Sequence, residues 1–293
     1  MIDSQVNVFD VNFLVPFQGV RSHSLFTELI AVANDIKPVM RTYAILPEKY
    51  HILKNVCFKN GLYMEHSNFR LLDDITIVKD DSGKFFYVYI SKDKESCKEA
   101  KIVEEKIVMG IKNDYEEHLK FSQLMGYPRC CFDFFFEEMK CLQESHLIEF
   151  KAFKNTKSNF SYLLNNLLRG DEYLISHYPC SYDCKESKKY AKKVLESLGI
   201  LNEKKANDFI KLLKLPVMKF EKVASYVRFI DGKVNKNIVE YSDCWGSEDL
   251  CKIFRKGRKI ENGKDSIIIL NNKIKVGEYR KKSEGDGILF DFK

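Results

Sequence analysis

The sequence predicts an α+β fold: a helical central region with a cysteine-rich site, flanked by an N-terminal α/β region and a C-terminal antiparallel β-sheet. Three observations lead there. Strand-like and helical runs mix before residue 100, apolar residues recur at helical spacing from 101 to 215, and beyond Pro216 short β-branched runs are separated by Asp-Gly and Asn-Gly turns. These changes of period divide the chain into 1–100, 101–215 and 216–293.

In the first region, Phe13–Phe17 and Met40–Leu46 read as short strands around an apolar helical stretch from Leu25 to Ile36. Ile75–Val78 and Phe85–Ile90, joined through Asp80-Asp81-Ser82-Gly83, read as a β-hairpin. The histidines here, His23, His51 and His66, stand alone and are expected to be ordinary surface or core residues.

The central region opens with a helix predicted over Ile102–Met125, because Ile107, Ile111, Tyr115, His118, Ser122 and Met125 share one face and Gly126 supplies a stop. Pro128 suits the first turn of the next helix, whose stripe is Phe132, Phe135, Met139, Leu142 and His146. On a continuous helix His146 falls roughly 22 Å beyond Cys131, too far to share a site, and Cys141 is expected only to pack. A further helix is predicted over Asn159–Leu168, ending at Gly170. Pro179 at a first helical position then opens a helix that places Cys180, Cys184, Ser187, Ala191, Val194 and Leu198 on one stripe, with Gly199 ending it. A last helix covers Glu203–Leu215. In the third region strands are expected over Val223–Ile230, Ser266–Leu270, Ile274–Tyr279 and Ile288–Phe292, forming one small sheet, with Cys244 and Cys251 structural.

Composition narrows the function. The 293 residues are 45% hydrophobic and 31% charged, so packed cores are expected and disorder is not. No apolar run is long enough to cross a bilayer, and the first residues lack the basic and apolar segments of a secretory signal. A cytoplasmic protein without a membrane partner is therefore expected. There the nine cysteines stay reduced, which points to metal ligation, catalysis or burial rather than disulfides. The net charge is +6, and residues 151–215, with 13 Lys and Arg against 7 Asp and Glu, hold an excess of that same size. A basic segment beside thiols favours thiolates and anionic partners, although a solvated helix face is the plainer explanation of so modest an excess.

The chemistry is concentrated in Gly126-Tyr127-Pro128-Arg129-Cys130-Cys131 and His177-Tyr178-Pro179-Cys180-Ser181-Tyr182-Asp183-Cys184. Each pairs an aromatic-proline step with two cysteines near a helix start, where unpaired amides favour thiolate. Cys180 and Cys184, at helical i and i+4, suit one metal ion, with Cys130, Cys131 and His177 as further ligands. Adjacent cysteines diverge along a backbone, so Cys130 and Cys131 are expected to need an irregular turn to reach one ion. In the other version one of them stays free as a nucleophile, sulfur carrier or redox thiol, activated by Arg129, with Asp133 or His177 moving the proton.

These two stretches resemble those of an archaeal and bacterial family of unknown function, which carries Gly-Tyr-Pro-x-Cys-Cys and His-x-Pro-Cys-Ser-x-x-Cys segments. Here the matching residues are Gly126, Tyr127, Pro128, Cys130 and Cys131, then His177, Pro179, Cys180, Ser181 and Cys184. The resemblance implies a shared site without a substrate. The expected function is a metal- or iron–sulfur-dependent enzyme of redox or sulfur-transfer chemistry acting on a small or anionic substrate, with zinc or an iron–sulfur cluster as cofactor. One alternative is a zinc-stapled module that binds RNA or another polyanion through Lys185, Lys188, Lys189, Lys192 and Lys193; another is that the cysteines only pack. No P-loop, dinucleotide fingerprint or His-Glu-x-x-His motif is present.

Overall fold

The architecture is that of a computed structural model describing residues 22–293, apart from 43, 73–75, 79–81, 111–114, 142–146, 168–172, 221–224, 264–265, 272 and 281–286. The expected strand Phe13–Phe17, the turn at Asp80-Asp81, the tail of the helix through Leu142 and His146, and the stop at Gly170 lie outside the described residues. Among the described residues the protein is an α+β fold in which the strands of every sheet pair antiparallel.

Helix α1 (Ser22–Ala33) is the expected apolar stretch, with Leu29, Ile30 and Ala31 fully buried. It packs near a three-stranded sheet of order β1 (Val39–Arg41), β5 (Val88–Ser91), β2 (Tyr63–His66). The strand expected over Met40–Leu46 is only the short β1, and helix α2 (Pro47–Lys59) begins on Pro47, a favoured first residue. The hairpin expected between Ile75–Val78 and Phe85–Ile90 does not form. Instead β4 (Ile77–Val78) pairs with β3 (Arg70–Leu71), and β5 lies between β1 and β2. All four residues of β5 are buried, so the run belongs at the centre of a sheet, where two partners satisfy its backbone.

The single helix expected over Ile102–Met125 is two helices, α3 (Lys94–Val108) and α4 (Tyr115–Leu124). Gly110, at φ +64, closes the turn after α3 and breaks the shared face. Next come α5 (Arg129–Cys141) and α6 (Ile148–Asn155). The helix expected at Asn159–Leu168 is only a 3-10 turn at Tyr162–Leu164. Its backbone is drawn elsewhere: Lys293 N–H donates to the Phe160 carbonyl at 2.7 Å, and Tyr162 N–H to that of Lys293 at 3.1 Å. Helix α7 (Lys185–Leu201) begins six residues later than Pro179 and runs through Gly199 to Leu201. At Gly199 a Cβ would meet Ala206 of α8 (Glu203–Leu213) at 3.9 Å, so this glycine lies within a helix–helix contact and ends nothing.

Two sheets replace the single C-terminal sheet. One has the order β10 (Asp243–Gly246), β7 (Tyr226–Ile230), β6 (Val217–Phe220), β14 (Gly287–Phe290). The other runs β13 (Ile274–Arg280), β12 (Ser266–Asn271), β11 (Lys259–Asn262), β9 (Ile238–Glu240), β8 (Lys233–Asn235). Their core, with helix α9 (Glu248–Phe254), includes Phe229, Phe254, Ile267 and the buried Cys244 and Cys251. The largest core joins distant stretches: Phe26, Ile90, Cys131, Cys184, Leu198 and Phe290 belong to one cluster.

Candidate metal centre

The first motif begins as a helix cap. Gly126 is left-handed at φ +69; its N–H donates to the Gln123 carbonyl at 2.9 Å, and Tyr127 N–H to that of Ser122 at 3.0 Å, which terminates α4. A Cβ at Gly126 would sit 2.7 Å from Lys37 Cβ, so the residue must also be small. The Pro128 carbonyl then accepts from Cys131 N–H and Phe132 N–H, both at 3.0 Å, and starts α5. Cys130 and Cys131 thus occupy its first turn, with sulfurs 3.9 Å apart. The irregular turn expected for two adjacent ligands is not seen: both cysteines lie within α5, and although consecutive helical side chains point about 100° apart their sulfurs stand within 3.9 Å.

The second motif is not helical where the cysteines begin. Cys180 lies in an irregular stretch and Cys184 is the residue before α7, so the expected i, i+4 helical pair gives way to a looped one. Asp183 is the reason. Its carboxylate accepts from Lys157 N–H at 3.2 Å, Ser158 N–H at 3.0 Å, Ser158 Oγ at 2.9 Å and Ser181 Oγ at 2.6 Å. Tyr182 N–H donates to Thr156 Oγ1 at 2.9 Å, while the Tyr182 ring is fully buried against Phe160, Phe290 and Phe292. These tertiary anchors outcompete the short helical turn that Pro179 permits.

The sulfurs of Cys130, Cys131, Cys180 and Cys184 all lie within 4.8 Å of one another, a set able to hold a metal ion. Cys184 Sγ is 3.7 Å from Cys130 Sγ and 3.7 Å from Cys131 Sγ. Cys131 and Cys184 are buried, Cys180 is half-buried and Cys130 is exposed. Four touching thiols share their protons unequally. Hydrogen bonds from Cys131 and Cys180 pull the Cys184 thiol far below its usual range, while hydrogen bonding to Cys180 and Cys184, with burial, pushes Cys131 far above. Only a cation among the sulfurs would let all four ionise together.

His177 lies outside this group. Its Nε2 is 2.8 Å from Ser187 Oγ, which in turn is 3.1 Å from Cys131 Sγ, so the imidazole reaches the sulfur through a hydroxyl. Burial, then the nearby Lys37, push its pKa down to about 3, and the ring is neutral between Tyr127 and Tyr190. Arg129 and Asp133 bind each other on the outer face, with Arg129 Nε 2.8 and 3.0 Å from the two carboxylate oxygens. The Tyr115 hydroxyl also donates to Asp133 and, with Arg129, holds that carboxyl below its ordinary range. An open cleft of about 660 Å³ runs along Cys130, Arg129, Tyr127, Lys189 and Lys193.

Two partners of the site escaped the sequence reading. Ser187 falls on the expected inward stripe, and its place three residues after Cys184 is the one local hint that it neighbours a sulfur. Lys37, buried and paired with Glu28, gave none, because its contact with Gly126 spans the chain.

No match is found among curated proteins or among solved structures. Residues 94–219, which contain both motifs and all four clustered cysteines, match the model of a family described as protein of unknown function (DUF483), as the motif resemblance implied.

Proposed function

We propose that the four cysteines hold a single tetrahedral ion, zinc by preference, which staples the start of α5 to the loop before α7 and so shapes a binding cleft. The sulfur spacing carries this reading. Zinc–sulfur bonds of about 2.3 Å in a tetrahedron separate sulfurs by roughly 3.8 Å, and three pairs here stand at 3.7, 3.7 and 3.9 Å. An iron–sulfur cluster sets several atoms between its thiolates and spreads them further than one ion does, so the spacing favours the single ion.

Four protein ligands make a closed site, the form that structural zinc takes, and the ion's contribution is cross-linking. The chain's own residues tune it. Cys180 N–H points at Cys131 Sγ at 3.4 Å, and Ser187, backed by His177, is placed to hydrogen-bond the same sulfur. Arg129, Lys189 and Lys193 along the cleft outnumber Asp133 and Glu186, which suits an anionic ligand, a small phosphate ester before an RNA. A binding module therefore ranks first.

One observation favours a second reading. Cys130 is the exposed member of the set and lies on the cleft wall, where a redox or sulfur-transfer thiol would meet a substrate.

Metal and sulfide content of protein purified without oxygen separates these readings. One zinc per chain, lost in Cys180→Ala/Cys184→Ala, is expected. Iron with stoichiometric sulfide would replace the single ion by a cluster, and absence of metal in both proteins would return the cysteines to packing.

A further inference from the structure

We infer that a second cavity, lined by Cys131 and sharing Tyr127 with the cleft, binds a neutral, planar heteroaromatic ring. The cavity holds about 360 Å³, within the range of small-molecule sites, and lies between α3, α4, α5 and the start of the second motif. Its walls are rich in rings: Phe121, Tyr127, Phe132, Phe135, Phe136 and Tyr178 all line it. Phe135 and Tyr178 stack at 5.6 Å with planes 13° apart, a pairing of α5 with the second motif. Aromatic faces favour offset stacking and edge contacts with another flat ring.

The charge of the lining points to a neutral occupant. Arg41 and Glu104 are its oppositely charged pair; Arg41 Nη1 donates to Glu104, whose other oxygen accepts from Tyr89 OH at 2.6 Å. That pair leaves no net charge to attract an ion. The polar atoms point to hydrogen bonding at the ring's edge. Ser122 Oγ, Ser176 Oγ and His177 Nδ1 are buried without a hydrogen-bond partner, and all three residues line the cavity. Unsatisfied buried groups are few in native proteins; these three side chains sit in the cavity's wall, and rotation of either serine about χ1 would turn its hydroxyl toward the edge of an occupant. A nucleobase or a flavin-like ring has that combination of flatness, neutrality and polar edge.

The site does not depend on the identity of the metal, and the test separates the two. Lumichrome, a neutral fluorescent tricyclic heteroaromatic, would be titrated into the protein as purified and into Ser176→Phe, which fills the cavity, with metal content measured in each. Saturable one-site binding, weakened at least roughly tenfold in Ser176→Phe with metal retained, is expected. Phe135→Leu, which keeps apolar bulk but removes a ring, should weaken binding several-fold and covers the case in which Ser176→Phe does not fold. Absence of saturable binding to the unaltered protein would overturn the inference. So would binding untouched by both variants but lost in Lys189→Gln/Lys193→Gln, since the ring would then sit in the open cleft.

Discussion

Gly126 shows how much one residue of the motif does before any cysteine is reached. It turns the chain left-handed at φ +69 and lets Lys37 approach where a Cβ would stand 2.7 Å from that side chain. Gly126→Ala is expected to cost about 1–2 kcal/mol from the backbone alone, with the clash adding to it, read as a lower denaturation midpoint. Asn tolerates the left-handed region but not the clash, so Gly126→Asn should also destabilise; a midpoint equal to that of the unaltered protein would show that Lys37 moves aside. The glycine, the prolines and the cysteines were legible in the sequence because each residue type carries its chemistry locally. Ser187 was not, since its hydroxyl matters only once Cys131 and His177 arrive from other parts of the chain.

Helices were legible where caps and periodicity agreed, as in α8, whose Asn202 side chain accepts from Lys205 N–H at 2.8 Å. Helix α3 has a charged version of the same cap: Asp93 accepts from Ser96 N–H at 2.7 Å, and its hydrogen bonds to Ser96 hold the carboxyl below its usual pKa. The folded protein therefore binds fewer protons here than the unfolded chain at mildly acid pH. The cap's contribution is full above the unfolded value of about 3.9 and is lost as pH falls through the lower folded value. The difference in melting temperature between the unaltered protein and Asp93→Ala should be present at neutral pH and shrink on further acidification; a pH-independent difference would remove the charge from the explanation. Periodicity misled where tertiary partners competed. Pro179 and the Cys180–Leu198 stripe describe a helix that local propensity allows, but the hydrogen bonds that Asp183 accepts from Lys157 and Ser158 hold Cys180 to Cys184, with the first two members of that stripe, as a loop. That difference matters, because the loop brings Cys180 toward Cys131.

Across the whole molecule the site is held by contacts between distant stretches. Elsewhere in the core, Lys219 of β6 and Glu149 of α6 form an ion pair with side chains 3% and 0% exposed. Removing one partner of such a pair leaves a charge in the core, so Lys219→Met should cost about 3–5 kcal/mol. Lys219→Met with Glu149→Leu should recover most of that loss in equilibrium unfolding; a double variant no more stable than the single one would mean that the pair's worth lies in other contacts. The sequence alone determined the α+β class, the apolar α1, the start of α5 and the pairing of the two cysteine stretches. Those features rest on hydrophobic period, turn residues and residue type, which act within a few neighbours. Only the tertiary structure decided that β5 is central, that Cys184 precedes its helix, that His177 stands behind Ser187, and that the four sulfurs meet within 4.8 Å. Each of these depends on which distant surfaces bury one another, and burial is a property of the assembled core that no local pattern encodes.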